Sequence, residues 1–207
     1  MTEKLFYQDS SIKEFTATVE SCMQGKDGMF EVILDQTAFF PEGGGQFGDQ
    51  GWIDGIKVTD THEKNGVIYH ETEAPIAVGT EVKGELDYKE RFSRMQQHTG
   101  EHMLSGIIHR LYGYDNVGFH LGAAETTMDF NGELTSEQVR EVETLANQAV
   151  WDNIPVEILY PTKEELASMD YRSKIEIEGQ VRIVRIGDVD MCACCAPHVS
   201  RTGEVGI

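Results

Sequence analysis

Two pairs of metal-binding side chains and a run of glycines carry most of the chemistry this sequence offers. The first pair lies in His98-Thr-Gly-Glu-His102, with its histidines at i and i+4. On a helix that spacing projects both imidazoles from one face, where they can reach a single metal ion. The metalloprotease motif does not fit, because its glutamate directly follows the first histidine, whereas Thr99 stands there and Glu101 precedes the second. Taken alone, the pair reads as a metal site or as two hydrogen-bonded histidines on a half-buried helix face. The second pair lies in Met191-Cys-Ala-Cys-Cys-Ala-Pro-His198, where Cys194 and His198 are again four apart. A thiolate beside imidazoles is zinc chemistry. Cys192 and Cys195 are alternative ligands, and buried or redox-active thiols are the competing explanation. Together the two clips would fill a tetrahedral site.

The third feature is Phe40-Pro-Glu-Gly-Gly-Gly-Gln46-Phe-Gly-Asp49-Gln-Gly51. Three consecutive glycines let the backbone approach a ligand or another strand closely. No Lys-Ser/Thr follows and no helix opens there, which argues against a phosphate-binding P-loop. The run is a binding loop or a tight turn.

These groups need elements to hold them. Residues 14–20, 29–34, 37–40 and 82–86 read as short strands, and 51–58 with 66–70 as hairpin partners turning at Asn65-Gly66. Such spacing predicts a small barrel or sandwich. From 89 to 112, Met95, Met103, Ile107 and Leu111 repeat at helical spacing, and Gly113 marks the stop. Residues 119–130 read as two strands around Gly122. Thr135-Ser-Glu-Gln138 is a capping box opening a helix through Val139, Val142, Leu145, Ala149 and Val150. Residues 155–160 form a strand, Thr162-Lys-Glu-Glu165 caps a short helix, and 175–186 is a strand pair reversing near Glu178-Gly179. The expected fold class is α+β. A small N-terminal β-barrel with the glycine-rich motif spans 1–88, and an α/β domain with helices packed on an antiparallel sheet spans 89–207.

Composition narrows the function classes. The chain has 207 residues, 40% of them hydrophobic, enough to bury a core. No apolar run approaches the ~20 residues that span a bilayer, and the N-terminus lacks the apolar stretch of a signal peptide. With four cysteines, three of them within 192–195, metal chemistry comes before disulfides and a cytoplasmic location is expected. Lys and Arg number 17 against 36 Asp and Glu, a net charge of −19, which argues against indiscriminate binding to nucleic acid or anionic membranes. All the arginines lie after position 90, so a local basic face in the second half is open.

In combination the three motifs resemble the editing domain of alanyl-tRNA synthetase and, more closely, its free-standing relatives, the alanyl-tRNA editing proteins called AlaX. The pattern stands here as Gly44-Gly-Gln46-Phe-Gly-Asp49, then His98-Thr-Gly-Glu-His102, then Cys194-Cys-Ala-Pro-His198 followed by Val199-Ser-Arg-Thr-Gly203. Threonyl-tRNA synthetases share the histidine and cysteine clips, but the glycine-rich motif favours the alanyl branch. The family often writes its last clip Cys-Gly-Gly-Thr-His, and alignment to it favours Cys194 over Cys195. Longer relatives continue past the point where this chain stops, so a fragment or a short form is expected.

The resemblance implies a zinc-dependent, ATP-independent deacylase that removes serine, with glycine as a second substrate, from alanine tRNA. Zinc would be held by His98, His102, Cys194 and His198. Zinc would either polarise the ester or activate water, or bind the substrate's amino group; a catalytic role has one ligand, His198 or Cys194, yield to water or substrate. A pocket sized for alanine rejects serine and glycine weakly, so a second site must hydrolyse the errors and refuse alanine. Thr99, between the two ligand histidines, is the first candidate to read the serine hydroxyl, and Gln46 the second. Gly44, Gly45, Asp49 and His120 are the other expected substrate contacts. Arg91 and Arg94 lead the phosphate contacts, with Arg110, Arg182, Arg185 and Arg201 behind them. The alternative is a zinc-stabilised tRNA-binding module, or a catalytically incomplete fragment of a longer synthetase-related protein.

Overall fold

The computed structural model describes residues 2–122, 125–173 and 179–206. The chain divides into two units, Met1–Arg94 and Met95–Ile207. The first holds β1 (Glu3–Lys4), β2 (Glu14–Gln24), β3 (Phe30–Leu34), β4 (Gln36–Thr37), β5 (Gly51–Ile53), β6 (Ile56–Lys64), β7 (Val67–Thr72) and β8 (Glu81–Leu86). Six of these pair in the order β2-β3-β7-β6-β5-β8, and β8 returns antiparallel to β2, so the ladder closes into a barrel. Alternation along the strands turns Ala17, Val19, Val32, Leu34, Ile53, Val58, Val82 and Leu86 inward, and Phe39 joins them in the core. Two hairpins set the register. Asp54-Gly55 and Asn65-Gly66 each place two successive residues at positive φ, the twist that two-residue hairpin loops require.

Two expectations change here. Residues 51–58 are not one strand but a hairpin, because the Asp54-Gly55 turn splits them into β5 and β6. Of 37–40, only Thr37 is in a strand, β4, which pairs parallel with β1. Ala38, Phe39 and Phe40 are buried without strand geometry.

The long helix α1 (Tyr88–Tyr112) begins in the first unit and continues in the second. Asp87 opens it by accepting from the Glu90 amide through Oδ1 at 3.2 Å, and Gly113, at φ 69°, ends it by donating to the His109 carbonyl. Met95, Met103, Ile107 and Ile108 are buried, but Leu111, expected on that face, is 40% exposed.

The second unit continues with β9 (Asn116–Leu121), β10 (Thr126–Phe130), α2 (Ser136–Asp152), β11 (Val156–Leu159), α3 (Lys163–Leu166), β12 (Ile183–Ile186) and β13 (Asp190–Ala193). Both expected capping boxes form: Thr135 with Gln138 at α2, and Thr162 with Glu165 at α3. Strands β11, β12 and β13 make an antiparallel sheet in sequence order, and β9 pairs with β10 as a hairpin. Met103 of α1, Ala149 and Val150 of α2 and Ile186 of β12 meet in one apolar cluster, which fastens both helices to the sheet. Ile107, Ile108 and Val142 form a second, while Val139, expected in the helix face, is half exposed. Of the strand pair expected over 175–186, one strand is assigned, β12, and it pairs with β11 and β13 instead of with a strand inside that range; residues 174–178, including Glu178 of the expected reversal, lie outside the described residues. Among the described residues, no helix is long and apolar enough to cross a membrane.

Candidate metal centre

His98 and His102 occupy consecutive turns of α1 on one face, with ring centroids 5.4 Å apart. The third imidazole, His198, stands 4.8 Å from the ring of His98 and 4.6 Å from that of His102. Cys194 reaches the same point: its Sγ is 3.7 Å from His98 Nε2. One donor atom from each of the four residues lies within 4.8 Å of the others. Metal–nitrogen bonds of ~2.0 Å and metal–sulfur bonds of ~2.3 Å at a tetrahedral angle set an edge of ~3.6 Å, so the Cys194–His98 separation already fits one.

The sheet explains how residues remote in sequence arrive there. In β13, Asp190 and Cys192 are buried while Met191 and Ala193 are partly buried, and Cys194 lies just past the end of the strand with its Sγ toward His98. Arg182 holds the turn that comes next, donating from Nη1 to the carbonyls of Cys194 at 2.7 Å and Ala196 at 2.9 Å. Helix and strand approach closely because Gly106 has no side chain: a Cβ there would lie 2.4 Å from the Val189 carbonyl oxygen.

The electrostatics place a thiolate among the imidazoles. Burial opposes ionisation of Cys194, but the positive potential of His98 and hydrogen bonds from His102, His198 and His98 outweigh it, holding the thiol well below its ordinary range. Burial also pushes His198 down to about 3, with His102 adding to the effect, so His198 is a neutral imidazole able to donate a lone pair. Burial acts against the charge on His102 too, but the Asp190 carboxylate and Cys194 reverse it and hold His102 well above the usual histidine range. Cys192 is raised by burial, and Cys195 is exposed and stands outside the cluster. Of these three thiols, Cys194 is the one that joins His98, His102 and His198 within 4.8 Å, while Cys192 groups with His102 and Asp190.

The second layer contains residues that the sequence did not flag. His102 Nδ1 bonds Asp190 Oδ2 at 3.0 Å, and Arg172 grips both oxygens of that carboxylate, at 2.8 and 3.0 Å. Glu101 is buried; its Oε1 accepts from Ser105 Oγ at 2.7 Å and from Asn116 Nδ2 at 2.8 Å. Asp190 could have been suspected from its place four residues before Cys194 on a strand; Arg172 gave no sequence signal.

Thr99 is fully buried, with Oγ1 3.0 Å from His198 Nδ1 and accepting from the Val199 amide at 3.3 Å. Its hydroxyl thus bonds the segment that carries His198. The β9 alternation turns Phe119 toward His98, ring centroids 5.0 Å apart, and His120 outward. His120, expected as a substrate contact, is exposed and paired with Asp129 at 3.2 Å.

The glycine-rich motif lies in the first unit. Gly44 and Gly45 sit at φ 62° and 83°, and Gly43 and Gln46 exchange both backbone hydrogen bonds at 3.0 Å, which makes the run a two-residue hairpin turn. Gln46 is buried beside it. Asp49 and Arg91 depart from the expectation of ligand contacts. Arg91 Nη2 lies 2.7 Å from Asp49 Oδ2 with both side chains 1% exposed, and Asp49 also accepts from the Phe40 amide. Arg91 further donates to the carbonyls of Ser10 and Ala38, so its guanidinium is consumed inside the unit and offers nothing to a phosphate. Arg182 is buried in the same sense, tied to the turn after β13. Arg94 donates to Gly48 O at 2.7 Å and pairs with Glu90, leaving its edge near the surface.

Comparison with known proteins agrees with this geometry. Residues 2–90 match the family described as tRNA synthetases class II (A), and residues 181–207 match the threonyl and alanyl tRNA synthetase second additional domain. Over its whole length the chain is 39% identical to the alanyl-tRNA editing protein AlaX-L of Pyrococcus horikoshii, covering 53% of that protein. The chain is a relative of the alanyl-tRNA editing proteins. It is also 32% identical to the alanyl-tRNA editing protein Aarsd1 of Mus musculus over 98% of its length, covering 53% of that relative. The alanine–tRNA ligase of Halorubrum lacusprofundi is 35% identical over 99% of the chain, which covers 23% of the ligase. The chain therefore spans about half the length of the editing proteins it matches. The matched 181–207 segment contains Cys194 and His198, half of the ligand cluster.

Proposed function

We propose that this chain is a hydrolase that frees alanine tRNA from a wrongly attached amino acid, serine first and glycine second, at a zinc centre formed by His98, His102, Cys194 and His198. The observation that carries the proposal is the convergence of three imidazoles and one thiolate in a unit related to the alanyl and threonyl synthetase additional domain. One thiolate with imidazoles suits zinc better than a hard cation, which prefers oxygen ligands. The same proposal assigns 1–88 to a barrel domain and 89–207 to the editing domain.

When bound, zinc supplies a Lewis acid able to polarise an ester carbonyl or to lower the pKa of water toward ~7. The chain's own residues do the rest. Cys194 enters as a thiolate and His198 as a neutral ring, and His102, its Nδ1 engaged by Asp190, would release its Nε2 proton to solvent on binding the metal. Thr99 fixes His198 through Nδ1. Specificity against alanine requires a polar group that hydrogen-bonds the serine hydroxyl, a contact alanine cannot make. Thr99 and Gln46 are proposed for this, and Gly44, Gly45 and Arg94 as further contacts with the aminoacyl-tRNA; for these the support is the motif resemblance.

A zinc-stabilised binding module is the second reading. It is favoured by the count of four protein ligands, which closes a tetrahedron as structural zinc sites do. Deacylation separates the two. Seryl-, glycyl- and alanyl-tRNA, all on alanine tRNA, are incubated with the metal-loaded chain and with Cys194→Ala. Fast loss of serine, slow loss of alanine and no turnover by the variant support the hydrolase. Folded, zinc-loaded protein that turns over none of the three selects the binding module.

A further inference from the structure

His102 belongs to two clusters at once. It groups with His98, Cys194 and His198, and separately with Asp190 and Cys192, meeting Asp190 through Nδ1. The two groups are not equivalent, and Arg172 is what separates them. Both Asp190 oxygens are engaged by its guanidinium, Oδ1 with Nε at 2.8 Å and Oδ2 with Nη2 at 3.0 Å, while Oδ2 also meets His102 Nδ1 at 3.0 Å. That carboxylate already meets two positive or donating partners, and the guanidinium charge beside it opposes a cation, so the Asp190 side of His102 serves as a brace.

We propose that Asp190, clamped by Arg172, is the positioning residue of the metal centre: it fixes the ring of His102 so that Nε2 faces the other three ligands. The inference rests on the reading that His98, His102, Cys194 and His198 bind zinc. A metal-bound imidazole whose other nitrogen donates to a carboxylate is held in one tautomer and orientation and is a stronger donor. The brace is built from three separate elements. His102 is on α1, Asp190 opens β13, and Arg172 lies in the segment after α3, where its backbone bridges Cys192. The approach of β13 to α1 depends on Gly106, one turn beyond His102, since a Cβ there would lie 2.8 Å from Asp190 Oδ1 as well as against the Val189 carbonyl. Aspartate is needed for its charge as much as its shape. Arg172 is only 14% exposed and carries a positive charge that Asp190, at 1%, neutralises. An arginine left unpaired at this depth would repel a dication.

Metal affinity, measured without any tRNA, tests this. Zinc is titrated into the full chain against a chromophoric chelator, and cobalt(II) is bound in parallel to read the ligand field from its visible spectrum. Asp190→Asn keeps the size and one acceptor oxygen but removes the charge. It is expected to weaken zinc binding by about 10- to 100-fold and to shift the cobalt bands. Arg172→Gln leaves Asp190 in place without its clamp, and a loss of a few fold is expected. If Asp190→Asn does not fold, Arg172→Gln carries the test by itself. Variants that fold and bind zinc as tightly as the unaltered chain, with unchanged cobalt spectra, overturn the proposal. Failure of the unaltered chain to bind zinc would instead overturn the reading on which it rests.

Discussion

The site turns on how single buried groups share their hydrogen-bonding capacity. Thr99 shows this most directly. Its position between two ligand histidines suggests a substrate-reading hydroxyl, yet Oγ1 is engaged by His198 Nδ1 and the Val199 amide. The two roles make different predictions for Thr99→Val, which keeps the shape and removes the hydroxyl. If Thr99 serves His198, zinc affinity drops about tenfold while the ratio of serine to alanine hydrolysis holds. If it reads serine, the ratio falls and zinc affinity holds. The chelator titration and the deacylation assay together decide. Arg91 is the companion case in the first unit. An arginine inside a family-like segment invites assignment to phosphate, but sequence gives no measure of depth, and Asp49 claims it in the interior.

At the scale of elements, close approach is the controlling quantity. Gly106 admits β13 to α1, and Gly48 admits the glycine-rich loop to β6, where a Cβ would stand 2.0 Å from the Thr61 carbonyl oxygen. Gly106→Ala and Gly48→Ala are each expected to cost about 1–3 kcal/mol in urea unfolding, because backbone must move to make room. Gly106→Ala should also weaken zinc binding, and Gly48→Ala should not. The barrel has its own titrating group. His70 on β7 is fully buried, its Nδ1 3.0 Å from the Val32 carbonyl and its Nε2 2.8 Å from Thr37 Oγ1. Burial pushes its pKa from 6.5 down to about 4, with nearby His62 acting in the same direction. The unfolded chain therefore takes up a proton at higher pH than the fold does. Stability from this group is intact above 6.5 and declines as pH falls toward 4, by about 3 kcal/mol in all. Hydrogen exchange in residues 1–94 should accelerate over that window, and His70→Gln should flatten the dependence. An unchanged slope in the variant would assign the acid sensitivity to other groups.

For the whole molecule, charge and the proposed metal set the expectations. A net charge of −19 leaves few cations for RNA, and burial removes Arg91 and Arg182 from the six arginines first considered. Binding to alanine tRNA should be weak and fall with salt, with a log–log slope of magnitude below about 4 for so few phosphate contacts. A steep slope would reveal a larger basic surface than the described residues provide. If the cluster holds zinc as proposed, removing it should lower the stability of the second unit specifically, since the four residues join α1 to the segment after β13. With a chelator, exchange protection should drop across 95–207 and stay level across 1–94.

Much of this was legible in the amino acids. The i, i+4 histidines, the Cys194–His198 clip, both capping boxes and the Asn65-Gly66 hairpin are local patterns, and local patterns depend only on helical and strand periods. The sequence alone thus determined the residue types of the candidate cluster, the long helix that carries two of them and the strand-rich first part. It could not decide which of Cys192, Cys194 and Cys195 faces the histidines, because adjacent thiols differ only in the side to which β13 and the following turn direct them. Nor could it pair Asp190 with Arg172, bury Arg91 on Asp49, or turn His120 outward beside an inward Phe119. Those outcomes come from contacts between segments far apart in the chain. Their physical cause is desolvation: a charged or polar group taken from water must find its partner in space, and only the packed structure says which partner is there.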